Sequence, residues 1–485
     1  MQVSVVAQKL GAPSLAALLM LMWTKVAKKK ADLTLRKLAS FLFYISLLVG
    51  DKGADYLDAD LTRKEDGKLL SRQLRLARRR LFVVRDDFLE RCENSSAIDI
   101  SAAVQEAESN DKLSDFCLHP RPCYGGIRRI DAADTAMKSP GDWWFFSVDD
   151  LPMSLPLPRR YGRRRKRRRQ GKAAIGALES SNGANDTQGE GESPAGECGD
   201  DAMVLLYLHG GEFLSGDVRH SRREESFVLE LARGTHRELR RRRKRRWCGI
   251  QRLSVFSPSY PLAYNATFQE MVDAVVEAHR ELIDLVGGDG KAIILVGNGS
   301  GGNLALQLLR HGDGCHPSGI ALVSPWLDLS CSGDSYHECM DCTCHGHSLR
   351  DGAYVDVERV LKGNATDSWL LPSSGMSVVD ASPTLWRATA LPPNTYSTPL
   401  YVSVGEDDWS RSDAHSFLDI WRRRQRQLHR RLSYSASGPA VSTLHENRRG
   451  WHSMEMWASV VPEAREALRR VCVFIADVAE GRQRP

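Results

Sequence analysis

The stretch Ala292–Ala305 reads AIILVGNGSGGNLA, and it decides the fold class of this 485-residue chain. The apolar run Ala292–Val296 is continuous rather than alternating, which predicts a parallel strand that is covered on both faces. The dense glycines that follow predict a tight turn, and the residues Asn303–Leu309 predict a helix. A strand, a tight turn and a helix in this order are the repeating unit of α/β folds.

The segments on either side continue this alternation of strands and helices. The further predicted strands are Trp143–Val148, Met203–Leu208, Leu253–Ser257, Gly319–Ser324 and Leu400–Val404. The further predicted helices are Ser221–Arg233 and Phe268–Leu285. We therefore expect an α/β domain over residues 136–480, with a mostly parallel central sheet flanked by helices.

The composition is that of a globular protein, with 42% hydrophobic and 26% charged residues. Much of the net charge of +6 lies in two arginine-rich tracts, Arg159–Arg169 and Arg237–Arg246. Because no basic face interleaved with aromatic residues occurs elsewhere, we expect no nucleic-acid partner. Polar segments of this kind bury too little apolar area to fold, so we expect disordered insertions at residues 159–201 and 236–249.

We expect residues 1–135 to form a mostly helical region that acts as a cap or as a membrane anchor. Its two apolar stretches, Leu10–Trp23 and Leu38–Val49, are each shorter than the roughly 20 residues that span a bilayer. They are read either as membrane anchors or as buried helices. The first alternative predicts membrane association, for example at the endoplasmic reticulum, and the second predicts a cytoplasmic protein.

A second glycine turn follows the predicted strand that ends at Leu208, in the sequence LLYLHGGEF of residues 205–213. Gly210 and Gly211 lack a Cβ, so their N–H groups can approach a ligand oxygen closely, as an oxyanion hole requires. We expect His209 to hold this loop by hydrogen bonding. Glu212 follows directly, and its carboxylate would oppose a developing negative charge if it turned inward.

Together, the two glycine turns resemble the hormone-sensitive-lipase branch of the α/β-hydrolases, also called α/β-hydrolase fold-3. That branch pairs a His-Gly-Gly loop with a Gly-Asp-Ser-Ala-Gly-Gly-Asn nucleophile elbow. Further matches follow in order at Tyr260–Ala263, Ser324–Leu329, Gly405–Asp408 and Gly450–His452, so that the resemblance covers about residues 200–475. It implies a carboxylic-ester hydrolase, an esterase or lipase for small-molecule or lipid esters such as acylated lipids and steryl esters, that needs no cofactor.

The resemblance also implies the site residues. The catalytic residues are Ser300 as nucleophile, His452 as general base and Asp408 as the acid that orients the histidine. The oxyanion and substrate-binding residues are His209, Gly210, Gly211, Gly299 and Gly301. Glu406 and Asp407 are alternatives to Asp408, and His445 is an alternative to His452.

The nucleophile elbow departs from the family pattern, and two registers remain open. In the register without gaps, Asn298 replaces the family's aspartate and Gly299 occupies the nucleophile position, which predicts a non-catalytic homologue that binds or scaffolds. In the register shifted by one residue, Asn298–Gly302 reads as Asn-x-Ser-x-Gly with Ser300 as the nucleophile. Asn tolerates unusual backbone angles better than most residues, which permits the second register.

The segment Cys331–His347 is rich in cysteine and histidine, the ligands that tetrahedral zinc prefers. Its members are Cys339, Cys342 and Cys344 with His337, His345 and His347. Their spacing matches no standard zinc site, and an ordinary or disulfide-linked loop is the alternative. We therefore predict no metal site.

Overall fold

The computed structural model describes residues 128–134, 137–147, 202–213, 216–218, 221–243, 252–263, 266–286, 293–312, 315–340, 376–387, 389–431, 440–459 and 461–481. The predicted insertion at 159–201 and the predicted helical region up to residue 127 lie outside these residues. The strand Arg128–Asp131 belongs to the central sheet. The sheet therefore begins before the domain boundary that we predicted at residue 136.

The core of the molecule is an eight-stranded sheet in the order β1-β2-β4-β3-β5-β6-β7-β8. The strands are β1 Arg128–Asp131, β2 Gly141–Ser147, β3 Ala202–Leu208, β4 Arg252–Pro258, β5 Ile293–Asn298, β6 Gly319–Val323, β7 Leu400–Gly405 and β8 Ser442–Asn447. Strands β3 to β8 pair in parallel, whereas β1 pairs antiparallel with β2, and β2 with β4. The predicted α/β class with a mostly parallel sheet is confirmed.

Helices cover both faces of this sheet. They are α1 Arg222–Arg243, α2 Phe268–Val286, α3 Ser300–His311, α4 Asp334–Met340, α5 Val378–Ala381, α6 Arg411–Arg431 and α7 Pro462–Ala479. Along β5, Ile293 and Leu295 belong to the hydrophobic core on the side of α2, α3 and α6, while Ile294 and Val296 belong to the core on the side of α1 and α7. The continuous apolar run in the sequence thus has its explanation, since both faces of the strand are buried.

Helix α1 corrects one prediction. We expected a disordered insertion at residues 236–249, but the helix continues through Arg243. The side chain of Arg242 is only 6% exposed and its guanidinium lies 2.7 Å from Asp477 and 3.0 Å from Glu480, both near the end of α7. These ion pairs and the adjacent Glu238 compensate the buried charge, so the first half of the arginine-rich tract is part of the helical layer.

The carboxyl ends of the parallel strands lie along one edge of the sheet, where ligands of α/β proteins usually bind. The loop after β3 contains His209, the turn after β5 contains Gly299, and the loops after β7 and β8 contain Asp408 and His452. Residues far apart in sequence thereby meet at one place. Among the helices of the described residues, none has both the length and the apolar character needed to cross a bilayer.

Candidate active site

The turn between β5 and α3 has the geometry of a nucleophile elbow. Gly299 has φ 51° and ψ −120°, a strained conformation that side chains rarely adopt. Its N–H donates to the carbonyl of Val323 at 2.9 Å, and its own carbonyl accepts from Gly302 N and Trp326 N, each at 3.0 Å. Three backbone hydrogen bonds thus hold residue 299 at the sharpest point of the turn.

Gly299 faces the imidazole of His452. A Cβ built on Gly299 would lie 3.2 Å from His452 Nε2 and 3.7 Å from the Cα of Gly210 in the loop after β3. This is the place from which a nucleophile contacts both its general base and the oxyanion hole. The position is therefore correct for a catalytic serine, but the chain has no side chain there.

Ser300 lies one residue further, at the first position of α3, and its side chain is directed elsewhere. Its hydroxyl accepts a hydrogen bond from the backbone N–H of Phe213 at 3.2 Å. The structure therefore does not bring the Ser300 hydroxyl to His452. The shifted register with Ser300 as nucleophile does not describe this turn, and the register with Gly299 in that position does.

With Gly299 at the nucleophile position, the backbone N–H that would contribute to the oxyanion hole belongs to Ser300 and not to Gly301. In an elbow, the N–H of the residue that follows the nucleophile position contributes to the oxyanion hole. That residue is Ser300, whose N–H has no partner within the helix because it starts the helix. Gly301, which we predicted for this role, instead packs against β3, where an added Cβ would collide with the carbonyl oxygens of Leu208 and His209.

Asp408 and His452, which we predicted as the acid and the base, lie in contact with each other. The Nδ1 atom of His452 lies 3.0 Å from Asp408 Oδ1, and the indole of Trp409 stacks on the imidazole with ring centroids 4.4 Å apart. Asp408 Oδ1 also accepts from the N–H of Ser410 at 2.8 Å. Burial opposes ionisation of Asp408, but attraction to His452 and hydrogen bonds from His452, Ser324 and Ser410 hold its pKa below its ordinary value.

A pair of stacked rings supports the loop after β3, residues 209–213, which we call the oxyanion loop after its predicted role. The imidazole of His209 stacks on the ring of Tyr260 with centroids 4.0 Å apart, and the Tyr260 hydroxyl donates to the His209 carbonyl at 2.7 Å. The Nδ1 atom of His209 lies 2.9 Å from the carbonyl of Gly210. Burial lowers the pKa of His209 to about 4, so the ring is neutral at physiological pH. His209 thus holds Gly210 by a hydrogen bond within this loop.

Glu212 is a feature that the family pattern does not contain. It adopts a left-handed φ of 53°, and its carboxylate Oε1 lies 3.6 Å from His452 Nε2. From the sequence we expected this carboxylate to oppose a developing negative charge if it turned inward. In the structure it turns inward, toward the space above Gly299.

Asn298 connects the elbow to the histidine loop. Its side-chain oxygen accepts from the hydroxyl of Ser453 at 2.7 Å, and Ser453 N donates to the Ser324 hydroxyl at 2.8 Å. Ser453 follows His452 directly and has a left-handed φ of 54°. Asn298, which stands where the family has an aspartate, therefore fixes the backbone beside His452.

The alternatives considered for the acid and base lie outside this cluster. His445, on β8, has its Nδ1 atom 3.3 Å from the guanidinium of Arg470 on α7. Glu406 accepts from the N–H of Arg449 at 2.7 Å, and Asp407 lies 3.5 Å from the Arg449 guanidinium. These contacts tie both carboxylates to the turn after β8 and leave Asp408 as the partner of His452.

Sequence reasoning missed three residues of this site. Tyr260, Trp409 and Ser410 lie beside quoted motifs or within them, but an aromatic residue or a serine at such a position has no distinctive pattern. Only the contacts with His209, His452 and Asp408 reveal their roles. Within the described residues, no group of three or more His, Cys, Asp or Glu side chains could hold a metal ion. Residues 341–347 of the cysteine- and histidine-rich segment lie outside those residues.

Comparisons of sequence agree with this geometry. Residues 205–433 match the sequence profile of the alpha/beta hydrolase fold family. The chain is 26% identical over 275 residues to an esterase from Acinetobacter venetianus, a match that covers 56% of this chain and 74% of the esterase. It is 24% identical over 278 residues to an acetyl-hydrolase from Streptomyces hygroscopicus, covering 57% and 76% of the two chains.

Solved structures share the fold. The crystal structure of EstE5 soaked with p-nitrophenyl butyrate superposes with a TM-score of 0.50 at 17% identity, covering 82% of this chain and 98% of EstE5. A hormone-sensitive lipase from a metagenome library superposes with a TM-score of 0.50 at 16% identity, covering 83% and 98% of the two chains. At these identities the similarity establishes the fold alone.

Proposed function

We propose that this chain is an esterase-like hydrolase in which water, and no serine, attacks the carboxylic ester. The chain is a member of the α/β-hydrolase family and resembles its hormone-sensitive-lipase branch. The single observation that carries the proposal is the placement of bare Gly299 at the elbow, 3.2 Å from His452 Nε2 when a Cβ is built on it. The site has a base and an oxyanion loop, and the volume of the serine side chain is left for a water molecule.

The covalent Ser-His-Asp mechanism that the family resemblance implies needs the Ser300 hydroxyl at the imidazole. The hydrogen bond from Phe213 N to Ser300 Oγ, at 3.2 Å, opposes that mechanism. Rotating the hydroxyl toward His452 would leave a buried N–H without its partner, at a cost of about 1–3 kcal/mol.

In the proposed reaction, His452 Nε2 takes a proton from water while the water oxygen bonds to the ester carbonyl carbon. The carbonyl π electrons move to the oxygen, which the N–H groups of Gly210, Gly211 and Ser300 stabilise. The intermediate then collapses, the bond to the alcohol oxygen breaks, and His452 returns the proton to that oxygen. Asp408, whose lowered pKa keeps it ionised, stabilises the imidazolium in between.

The expected rate is modest. Serine proteases that lack a triad member keep about 10³–10⁴-fold acceleration over water from the oxyanion hole and substrate binding alone. A positioned general base contributes about 10²–10⁴-fold. We expect small esters such as the p-nitrophenyl acyl esters to be adequate substrates. Membrane association through residues 1–135, and with it a location at the endoplasmic reticulum, stays a prediction.

The test is hydrolysis of p-nitrophenyl acetate by the full chain and by two histidine variants. We expect His452→Ala to lower kcat about 100-fold or more, because the general base is lost. His415→Ala is the matched control, since its imidazole pairs with Glu446 at 3.0 Å on the surface. Wild-type hydrolysis no faster than buffer would identify a binding protein and contradict the proposal. Hydrolysis equally fast in both variants would contradict it in another way, since His452 would then not be the base.

A further inference from the structure

The two ring nitrogens of His452 each face a carboxylate. Nδ1 lies 3.0 Å from Asp408 Oδ1, and Nε2 lies 3.6 Å from Glu212 Oε1. The standard triad contains one such carboxylate, because the other nitrogen faces the serine hydroxyl. Here the carboxylate of Glu212 takes part of the space next to the position that the serine would occupy.

The backbone conformation of the oxyanion loop positions Glu212 next to His452. Glu212 and Phe213 have left-handed φ values of 53° and 65°, conformations that cost about 1–3 kcal/mol each for residues other than glycine. Phe213, the second of these two residues, donates its backbone N–H to the Ser300 hydroxyl at 3.2 Å, and this hydrogen bond attaches the turn to the start of α3. The side chain of Glu212 is 21% exposed, so solvent reaches the carboxylate from the open side of the site.

Asp408 and Glu212 contact His452, and a third acidic residue, Glu455, follows it in the chain. Asp408 lies in the loop after β7, Glu212 lies in the loop after β3, and Glu455 lies in the 3-10 turn Met454–Trp457. Glu455 is buried against Ser403 and Asn447, and burial raises its pKa. Glu212 is therefore the partly exposed carboxylate beside the imidazole, on the side from which a water molecule enters.

We propose that Glu212 is a catalytic residue that takes over the orienting role of the missing serine, an inference that rests on the proposed hydrolysis by water. A separation of 3.6 Å between Glu212 Oε1 and His452 Nε2 allows one water molecule above Gly299 to contact both atoms. One O–H of that water donates to Glu212 and the other donates to His452.

The step balances without a further reactant. The O–H bond directed at His452 breaks, the proton moves to Nε2, and the electron pair left on oxygen forms the bond to the carbonyl carbon. The second proton stays on the attacking oxygen, hydrogen-bonded to Glu212, and becomes part of the carboxylic acid product. The negative charge of Glu212 also stabilises the imidazolium, which explains why a carboxylate is tolerated beside an oxyanion loop.

The test compares Glu212→Gln with Glu446→Gln in the p-nitrophenyl acetate assay, over a range of pH. Both substitutions remove the charge of a glutamate that pairs with a histidine, but Glu446 pairs with His415 on the surface. For Glu212→Gln we expect kcat to fall about tenfold with little change in KM. We also expect the rising limb of its pH profile to move to lower pH, because an imidazole without a neighbouring carboxylate loses its proton more readily.

Three outcomes overturn the inference. A kcat that is unchanged or higher in Glu212→Gln would mean that the carboxylate is neutral or harmful to the reaction. A fall in kcat with an unmoved pH profile would mean that the glutamate only supports the loop. In both cases the wild-type chain still hydrolyses the ester through His452, and the proposed function stands. If the wild-type chain shows no turnover, the proposed function fails together with the inference.

Discussion

At the scale of single residues, Gly299 and Asp408 determine what the site can do. Gly299 keeps the backbone angles of a nucleophile elbow without the nucleophile, while Asp408 keeps the contact with His452 at 3.0 Å. The glycines of the loop after β3, His452 and Asp408 thus surround a position that carries no side chain. That combination favours a reaction in which the nucleophile comes from solvent.

Asp408 also contributes to stability in a way that depends on pH. Its folded-state pKa lies below its ordinary value of 3.8, because the attraction and hydrogen bonds from His452, Ser324 and Ser410 outweigh burial. The ionised carboxylate therefore stabilises the fold above about pH 4, and this stabilisation is lost as the pH falls toward the lowered pKa.

We predict that Asp408→Asn lowers the free energy of unfolding by about 1.5–3 kcal/mol at pH 7, the range for hydrogen bonds to a charged group. Below about pH 4 the difference between the two proteins should shrink. Urea unfolding at a series of pH values measures both quantities. Asp419→Asn, on the same domain but in the exposed part of α6, is a suitable control. A difference that stays constant down to pH 3 would show that ionisation of Asp408 does not stabilise the fold.

At the scale of elements, the turn from β5 into α3 fixes the register that the sequence left open. An added Cβ on Gly297 would approach the Cα of Gly302 to 2.6 Å, and one on Gly301 would collide with the end of β3. Both glycines match the family pattern without gaps. Their close packing allows no slip of one residue between strand and helix, and so Gly299 must occupy the elbow.

The contact between α1 and α7 gives a second prediction at this scale. A Cβ added to Gly234 on α1 would lie 2.5 Å from the Cys472 sulfur on α7. We expect Gly234→Ala to destabilise the protein by about 1–3 kcal/mol through overpacking, less the gain of roughly 1 kcal/mol that alanine brings to a helix.

The double variant Gly234→Ala with Cys472→Ala should recover stability, because the added methyl group then occupies the space of the sulfur. Thermal unfolding of the single and double variants measures the coupling between the two positions. Additive effects of the two substitutions would contradict the close packing of α1 against α7.

At the scale of the whole molecule, much of the α/β sheet could be predicted from its sequence. The continuous apolar run of β5 and the glycine turns after β3 and β5 gave the class and the family resemblance. Asp408 and His452 were identified because each follows a motif at the carboxyl end of a strand. These patterns lie within short stretches of sequence, so they can be recognised without knowledge of the tertiary contacts.

Other parts depend on contacts that the sequence does not display. The length of α1 was underestimated because Arg242 is buried in ion pairs with Asp477 and Glu480, which lie more than two hundred residues away. The choice between Gly299 and Ser300 depends on backbone packing at Gly301. The inward turn of Glu212 depends on two left-handed residues whose conformation no residue pattern indicated.

The placement of Gly299 predicts how the site responds when a nucleophile is supplied. In Gly299→Ser the new Cβ would lie 3.2 Å from His452 Nε2, which requires a shift of a few tenths of an ångström. The substitution also places a side chain at φ 51°, at a cost of about 1–3 kcal/mol. We expect the variant to fold and to acquire a serine activated by His452.

The most direct measurement is the intact mass of the protein after reaction with an activated phosphonate that labels nucleophilic serines. We predict that the wild-type chain stays unmodified, that Gly299→Ser gains one adduct at position 299, and that the adduct disappears when His452→Ala is added. An adduct on the wild-type chain that is lost in Ser300→Ala would show that Ser300 is the nucleophile, and would contradict the placement of Gly299 at the elbow.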